Sequence, residues 1–316
     1  MPTYPTNLLE FFQTFPNEDA CAEYIFDLRW PEGFRCPACG HKNAWKLDTK
    51  PCTFECRKCH RQTSLKAGTI MHGSKVPFSK RLLACWLMTS HSNGMSALQL
   101  QKQLGIGSYK TAWLLAAKLR KAMVDPNRKS LSGLVEIDES SMPFHRKGET
   151  KTKGKGRSHQ GKMMIIGAVE AIEAPEGHDR KGISRRIRLS MIEGYGEDEM
   201  HPFIERNIAP ESTGKTDGHI TYESAPNIEH EKHVIGSGLA HEVLPLVHLM
   251  FANLKEWAKG TYHGLRPKHL QSYLDEHVFH VNRRHNRASG FRSLLKIAMG
   301  GMPITYNMLI EPEAQG

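Results

Sequence analysis

The chain has no run of 18 apolar residues, the length a membrane-spanning helix requires, so no such span is expected. Its first residues, MPTYPTNLLEFF, have neither a charged leader nor a cleavage site, and a cytosolic protein is expected. Acidic residues are in deficit. There are 33 Asp plus Glu against 43 Lys plus Arg, a formal charge of +10 with 18 His in reserve. A polyanionic partner fits this balance better than an acidic membrane surface. Seven cysteines, an odd number, exclude a fully paired disulfide framework; four of them fall in two Cys-x-x-Cys pairs, which indicates a reduced compartment and metal chelation. At 316 residues the chain is long enough for about two domains with a sizeable core.

Leu8 to Trp30 places apolar residues at helical spacing on either side of Pro16, so two short helices are expected. Asn17 or Glu18 starts the second, with Ala20, Tyr24, Ile25 and Leu28 on its buried face and Cys21 in the core. Cys36, Cys39, Cys56 and Cys59 follow, the two pairs separated by 16 residues, as in a four-thiolate zinc ribbon. A closed shell of four sulfurs leaves the ion no open position, so this zinc stabilises a small fold and does not catalyse. Cys52 and His60 are spare donors.

Phe78 to Met123 reads as helical, and Ser96 to Met123 fits a helix-turn-helix. Ser96 caps a helix with Leu98, Leu100 and Leu104 as its apolar positions, Gly105 makes the turn, and Ser108 caps the second helix. Tyr109, Lys110 and Thr111 then stand at the end of a recognition helix that meets base edges. Farther along, Trp113, Leu114, Ala117 and Leu119 are expected to pack inward, while Lys118, Arg120 and Lys121 reach phosphates.

Pro126 and Gly133 break the helical pattern and mark a domain boundary. Beyond it, GLVEIDESSM is an extended strand with Val135 and Ile137 on one face and Glu136 and Asp138 on the other. Asp138, presented from a rigid element, is the candidate first ligand of a divalent-metal site. Residues 144–162 hold seven Lys or Arg, four Gly and one acid, a composition suited to a loop that clamps phosphates. Two more strands, from Met163 and Arg185, form a meander with the first, the former almost wholly apolar and therefore central. A helix over 198–208, a short strand from Ser212 to Asp217, and a helix over 239–259 complete an α/β pattern of a mixed sheet with packed helices.

Several stretches carry a resemblance to a known family: RWPEGFRCPACG, VEIDES, TDG, FANLKEWAKGTYHG and HLQSYLDEHVFHVNRRHNR. Across nearly its whole length the chain resembles bacterial insertion-sequence transposases of the DDE superfamily, in the ISXO-type group that joins a zinc ribbon to a helix-turn-helix. The resemblance implies a helical segment over 1–30, a zinc ribbon over 31–72, a helix-turn-helix domain over 73–130 and an RNase H-like catalytic domain over 131–316. It implies that Asp138 and Asp217 are catalytic acids and that Asn253, 36 positions after Asp217, is the third ligand, with Glu256, Asp275 and Glu276 as fallbacks. Two Mg2+ or Mn2+ ions are expected there beside the structural zinc. Lys255, Lys259 and His263 are expected at transposon-end phosphates, and Arg283 and Arg284 in a basic cluster on DNA. The implied activity is cleavage at terminal inverted repeats and transfer of the end into target DNA, by a homodimer or higher oligomer in the cytoplasm, nucleoid-associated when on DNA. The contrasting readings are a regulator that binds DNA without catalysis, and a nuclease of the same fold.

Overall fold

The computed structural model describes residues 5–144, 161–174, 176, 182–226, 228–232, 243–262, 265–286 and 288–310. It divides into two compact units, Met1–Asp125 with Arg283–Gly316, and Pro126–Asn282.

In the first unit, helices α1 (Leu8–Thr14) and α2 (Glu18–Arg29) are capped by the side chains of Asn7 and Asn17, which accept from the amides of Glu10 and Ala20. A three-stranded antiparallel sheet follows: β1 (Ala44–Lys46), β2 (Thr53–Cys56) and β3 (Gln62–Ser64). So small a sheet cannot bury a core of its own. It leans on α2 instead, through a ring cluster of Phe26, Trp30, Phe34 and Phe54, and through Arg29, which donates to the carbonyls of Ser64, Leu65 and Ala67.

Helices α3 (Phe78–Ser90), α4 (Ala97–Leu104) and α5 (Tyr109–Lys121) come next. The helix-turn-helix forms as the sequence indicates. Ser96 accepts from the Gln99 amide, and Gly105 closes α4 at φ +56°, a left-handed conformation that glycine adopts without strain. Ser108 precedes α5 without a side-chain cap bond, and Leu98 is exposed. Two expected phosphate contacts turn inward. Lys118 is buried with its Nζ donating to the His72 carbonyl, and Arg120 is buried with a guanidinium nitrogen donating to the Met95 carbonyl. Both lie in the last turns of α5, where the helix is enclosed on nearly every side. Arg120→Ala should therefore lower stability by about 1–3 kcal/mol, measured by urea unfolding, and leave the salt dependence of DNA binding unchanged.

The unit closes with α9 (Ala288–Gly300) and α10 (Tyr306–Ile310). Phe291 is fully buried among Phe11, Phe15 and Tyr24, and the Ile70 amide donates to the Ala298 carbonyl. The catalytic domain is expected to run over 131–316, whereas Arg283–Gly316 falls in the first unit. Periodicity reveals that a helix has an apolar face; it does not reveal which aromatic residues cover it.

The second unit contains β4 (Leu134–Pro143), β5 (Lys162–Glu173), β6 (Gly182–Ile192), α6 (Glu197–Asn207), β7 (Ser212–Thr216), a one-turn 3-10 helix at Ile220–Tyr222, β8 (Ile228–Lys232), α7 (Pro245–Thr261) and α8 (Pro267–Asn282). The sheet order is β6-β5-β4-β7-β8, with β4, β5 and β6 antiparallel and β4, β7 and β8 parallel. This is the mixed sheet expected of an RNase H-like domain. Strand β8 was not foreseen, because IEHEK is an edge segment without an apolar run. The basic stretch 144–162 lies outside the described residues except for Phe144, Gly161 and Lys162, as do 239–242 of the expected helix.

Strand alternation divides the core in two. Val135 and Ile137 pack with Met200, Phe203, Ile204 and Tyr222 on the α6 side, while Met142, Ile165 and Val169 pack with α7 and α8 on the other. Inside the second layer, His277 is buried against the Trp257 ring, and neither ring nitrogen has a hydrogen-bond partner. Burial first, then neighbouring His280, lowers its pKa to about 4 against the opposing pull of Glu276. A depressed histidine pKa stabilises the fold above its ordinary value of 6.5 and loses that contribution as pH falls towards 4. His277→Phe should remove up to about 3 kcal/mol of acid sensitivity across that window, read from urea unfolding at each pH.

Candidate functional site

Four cysteine sulfurs come together in the ribbon, all within 4.8 Å of one another. The Cys36–Cys59 and Cys39–Cys56 sulfur pairs are each 3.6 Å apart. An ion with four sulfurs about 2.3 Å away sets them about 3.8 Å from each other, so the cluster fits tetrahedral zinc. The Cys39 amide, which favours the thiolate, lowers the Cys36 pKa to about 6. Cys52 and His60, the spare donors, stand outside this cluster among the described residues.

The second site is built on β4. Parallel pairing of β4 with β7 sets Glu136 opposite Lys215; Asp138 follows two residues on within β4, and Asp217 follows two residues on, just past the end of β7. Neighbouring strands lie about 4.8 Å apart. The Asp217 carboxylate accepts from the His219 amide, which fixes the turn after the strand. Both acids act electrostatically on fully buried Tyr222, whose hydroxyl donates to Glu139. Burial, then Glu139, Asp138 and Asp217, hold the Tyr222 proton in place by raising its pKa well above the ordinary value.

Helix α7 covers the Asp138 face, and two features bring it close. Glu136 Oε2 accepts from the amides of Leu246 and Val247, at 2.8 and 2.9 Å, which pins the first turn of α7 to β4. Gly167, the β5 partner of Asp138, leaves the space that Met250 and Phe251 occupy; a Cβ there would meet their side chains at 2.5 and 2.8 Å. Thus held, α7 presents His248 with its Nε2 3.6 Å from Asp138 Oδ2, and Lys255 with its Nζ 2.8 Å from Ser140 Oγ. Burial lowers the Lys255 pKa, and the pull of Asp138 opposes that shift.

Asn253, expected as the third ligand, is exposed. At about 100° per residue it lies about 140° around α7 from His248 and about 160° from Lys255. The side chain facing Asp138 is therefore His248. Asn253, the ligand that the resemblance implies, is on the same helix at a different angle around its axis. The available signal was the seven-residue spacing of His248 and Lys255, two turns along one stripe. Among the fallbacks, Glu256 is exposed and paired with Lys259 at 2.7 Å, Asp275 accepts from Gln271, and Glu276 is buried and accepts from the Tyr262 hydroxyl.

The expected DNA contacts are divided between the units. Tyr109 is exposed at the start of α5, Lys110 Nζ lies 4.6 Å from the centre of the Tyr306 ring, and Thr111 and Lys121 are half-buried. Arg283 and Arg284 are half-buried in the first unit. His263 lies outside the described residues.

A four-cysteine ribbon in a chain that also carries this mixed sheet defines a zinc-ribbon protein with an RNase H-like domain. Residues 130–282 match a family described as ISXO2-like transposase domain, and residues 16–62 match one described as transposase zinc-ribbon domain. The two matches fall on the mixed-sheet unit and on the ribbon, in the order in which these stand in the chain. The chain is also 28% identical, over 166 residues, to a protein of Halobacterium salinarum described as an uncharacterized protein in transposable element ISH50. The match covers 49% of this chain and 55% of that protein. No solved structure matches. Among the described residues, no helix is long and apolar enough to cross a membrane.

Proposed function

We propose that the chain is a metal-dependent DNA transposase that binds the inverted repeats ending an insertion sequence, cleaves there, and joins the freed 3′-hydroxyl to target DNA. The observation that supports this reading is Asp138 within β4 and Asp217 just past the end of the parallel neighbour β7, with α7 offering His248 and Lys255 beside β4. The donor chemistry suits divalent cations, since carboxylate oxygens and substrate phosphate together complete a hard coordination shell. Cations held there supply Lewis-acid activation of the attacking oxygen and neutralise charge on the leaving oxygen.

The side chains have separate tasks in this reading. Asp138 and Asp217 hold the cations, Lys255 offers its charge to the phosphate beside Asp138, and Tyr222 with Glu139 steadies the strand from the opposite face. Tyr109, Lys110, Thr111 and Lys121 meet the inverted repeat through the helix-turn-helix, while the ribbon keeps the first unit folded. Lys259, Arg283 and Arg284 add phosphate contacts. Two ends must be handled together, which calls for a homodimer or larger assembly.

Purified full chain, incubated with Mg2+ or Mn2+, a labelled inverted-repeat end and a second duplex, is expected to nick the end and produce a joined product. A retarded band on a gel without either product would favour the non-catalytic regulator. Cleavage without joining would favour a nuclease. Either result would overturn the proposal.

A further inference from the structure

We propose that His248, in place of Asn253, is the third protein donor of the metal site, giving an Asp–Asp–His set that favours Mn2+ over Mg2+. This rests on the reading of Asp138 and Asp217 as the metal-holding acids.

Geometry selects the residue. His248 Nε2 lies 3.6 Å from Asp138 Oδ2. Two donors about 2.1 Å from one octahedral ion are about 3 Å apart when adjacent, so a small rotation of the imidazole lets the pair share a cation. The backbone beneath His248 is fixed, because Glu136 binds the amides of Leu246 and Val247 immediately before it. Gly167 allows the same turn of α7 to approach β5 directly opposite Asp138. The His248 side chain is 32% exposed, enough for an ion to reach it from solvent. Lys255, two turns later on the same stripe, bonds to Ser140, so the stripe and not Asn253 faces β4.

Chemistry then sets the metal. Carboxylate, carbonyl and water oxygens suit both Mg2+ and Mn2+, but Mn2+, a first-row transition ion, accepts an imidazole nitrogen more readily than Mg2+ does. Replacing one oxygen donor by His248 shifts the site towards Mn2+, and neutral imidazole adds no negative charge to the carboxylates already gathered around Tyr222.

The test uses zinc-loaded full chain titrated with Mn2+ alone, followed by electron paramagnetic resonance with detection of nitrogen coupling. Wild type should bind Mn2+ in a manner lost in Asp138→Ala and Asp217→Ala, and show coupling to one imidazole nitrogen. His248→Ala should abolish the coupling and weaken Mn2+ binding by at least about tenfold, while Asn253→Ala should change neither. His248→Asp, which restores an oxygen donor, should bind Mn2+ without the coupling and bind Mg2+ better than wild type does; this variant guards against a folding defect in His248→Ala. Persistence of the coupling in both His248 variants, or weakened binding in Asn253→Ala, would overturn the assignment and leave the acid pair standing. Mn2+ binding indifferent to Asp138 and Asp217 would overturn the acid-pair reading and this proposal with it.

Discussion

Asp138→Asn or Asp217→Asn is expected to reduce strand transfer by about a thousandfold or more, equivalent to about 4 kcal/mol of lost transition-state stabilisation. Asparagine keeps the volume and one oxygen but removes the charge that holds a cation. The loss should appear in turnover and not in DNA affinity, because the helix-turn-helix belongs to the other unit. Without metal, either variant should unfold at the same temperature as wild type or higher. Asp138, Glu139 and Asp217 all act on buried Tyr222, and removing one negative charge relieves their mutual repulsion. Equal activity would show that these carboxylates are structural. A parallel loss of thermal stability would show the same.

Cys36→Ser carries the second large expected effect. Cys36 and Cys56 are buried, and the small ribbon sheet packs on α2 through a ring cluster. Loss of one thiolate removes most of a binding free energy of about 10–16 kcal/mol that is also folding free energy. Zinc content should fall to near zero, tryptophan emission should shift to the red as Trp30 is uncovered, and specific DNA binding should be lost. Mn2+ binding at Asp138 should survive, since the sheet of the second unit has its own core on each face. Cys52→Ser should leave zinc content unchanged, because Cys52 lies outside the four-sulfur cluster.

The features legible in the sequence are those that local chemistry specifies. Two Cys-x-x-Cys pairs gave the ribbon, Ser96 and Gly105 gave the helix-turn-helix, and alternation in VEIDES separated the Val135 face from the Asp138 face. Features set by tertiary packing were not legible. The charges of Lys118 and Arg120 suggested solvent, yet their stems lie in a helix enclosed by its neighbours, where backbone carbonyls satisfy them. The resemblance implies Asn253 by its place in the chain, whereas the rotation of α7 is set by Glu136 and Gly167, which are remote in sequence. Polar β8 carried no strand signal because its pairing with β7 supplies hydrogen bonds without needing an apolar face.

The central claim is that residues distant in sequence share divalent cations, and localised backbone cleavage by Fe2+ tests it most directly. Zinc-loaded protein would be treated with Fe2+ and ascorbate, and the fragments mapped by mass spectrometry, because radicals generated at the bound ion cut only nearby chain. The account predicts cuts beside Asp138, Asp217 and His248, all suppressed by excess Mn2+ and absent in Asp138→Asn. Cuts confined to other segments, or unchanged by that substitution, would contradict it.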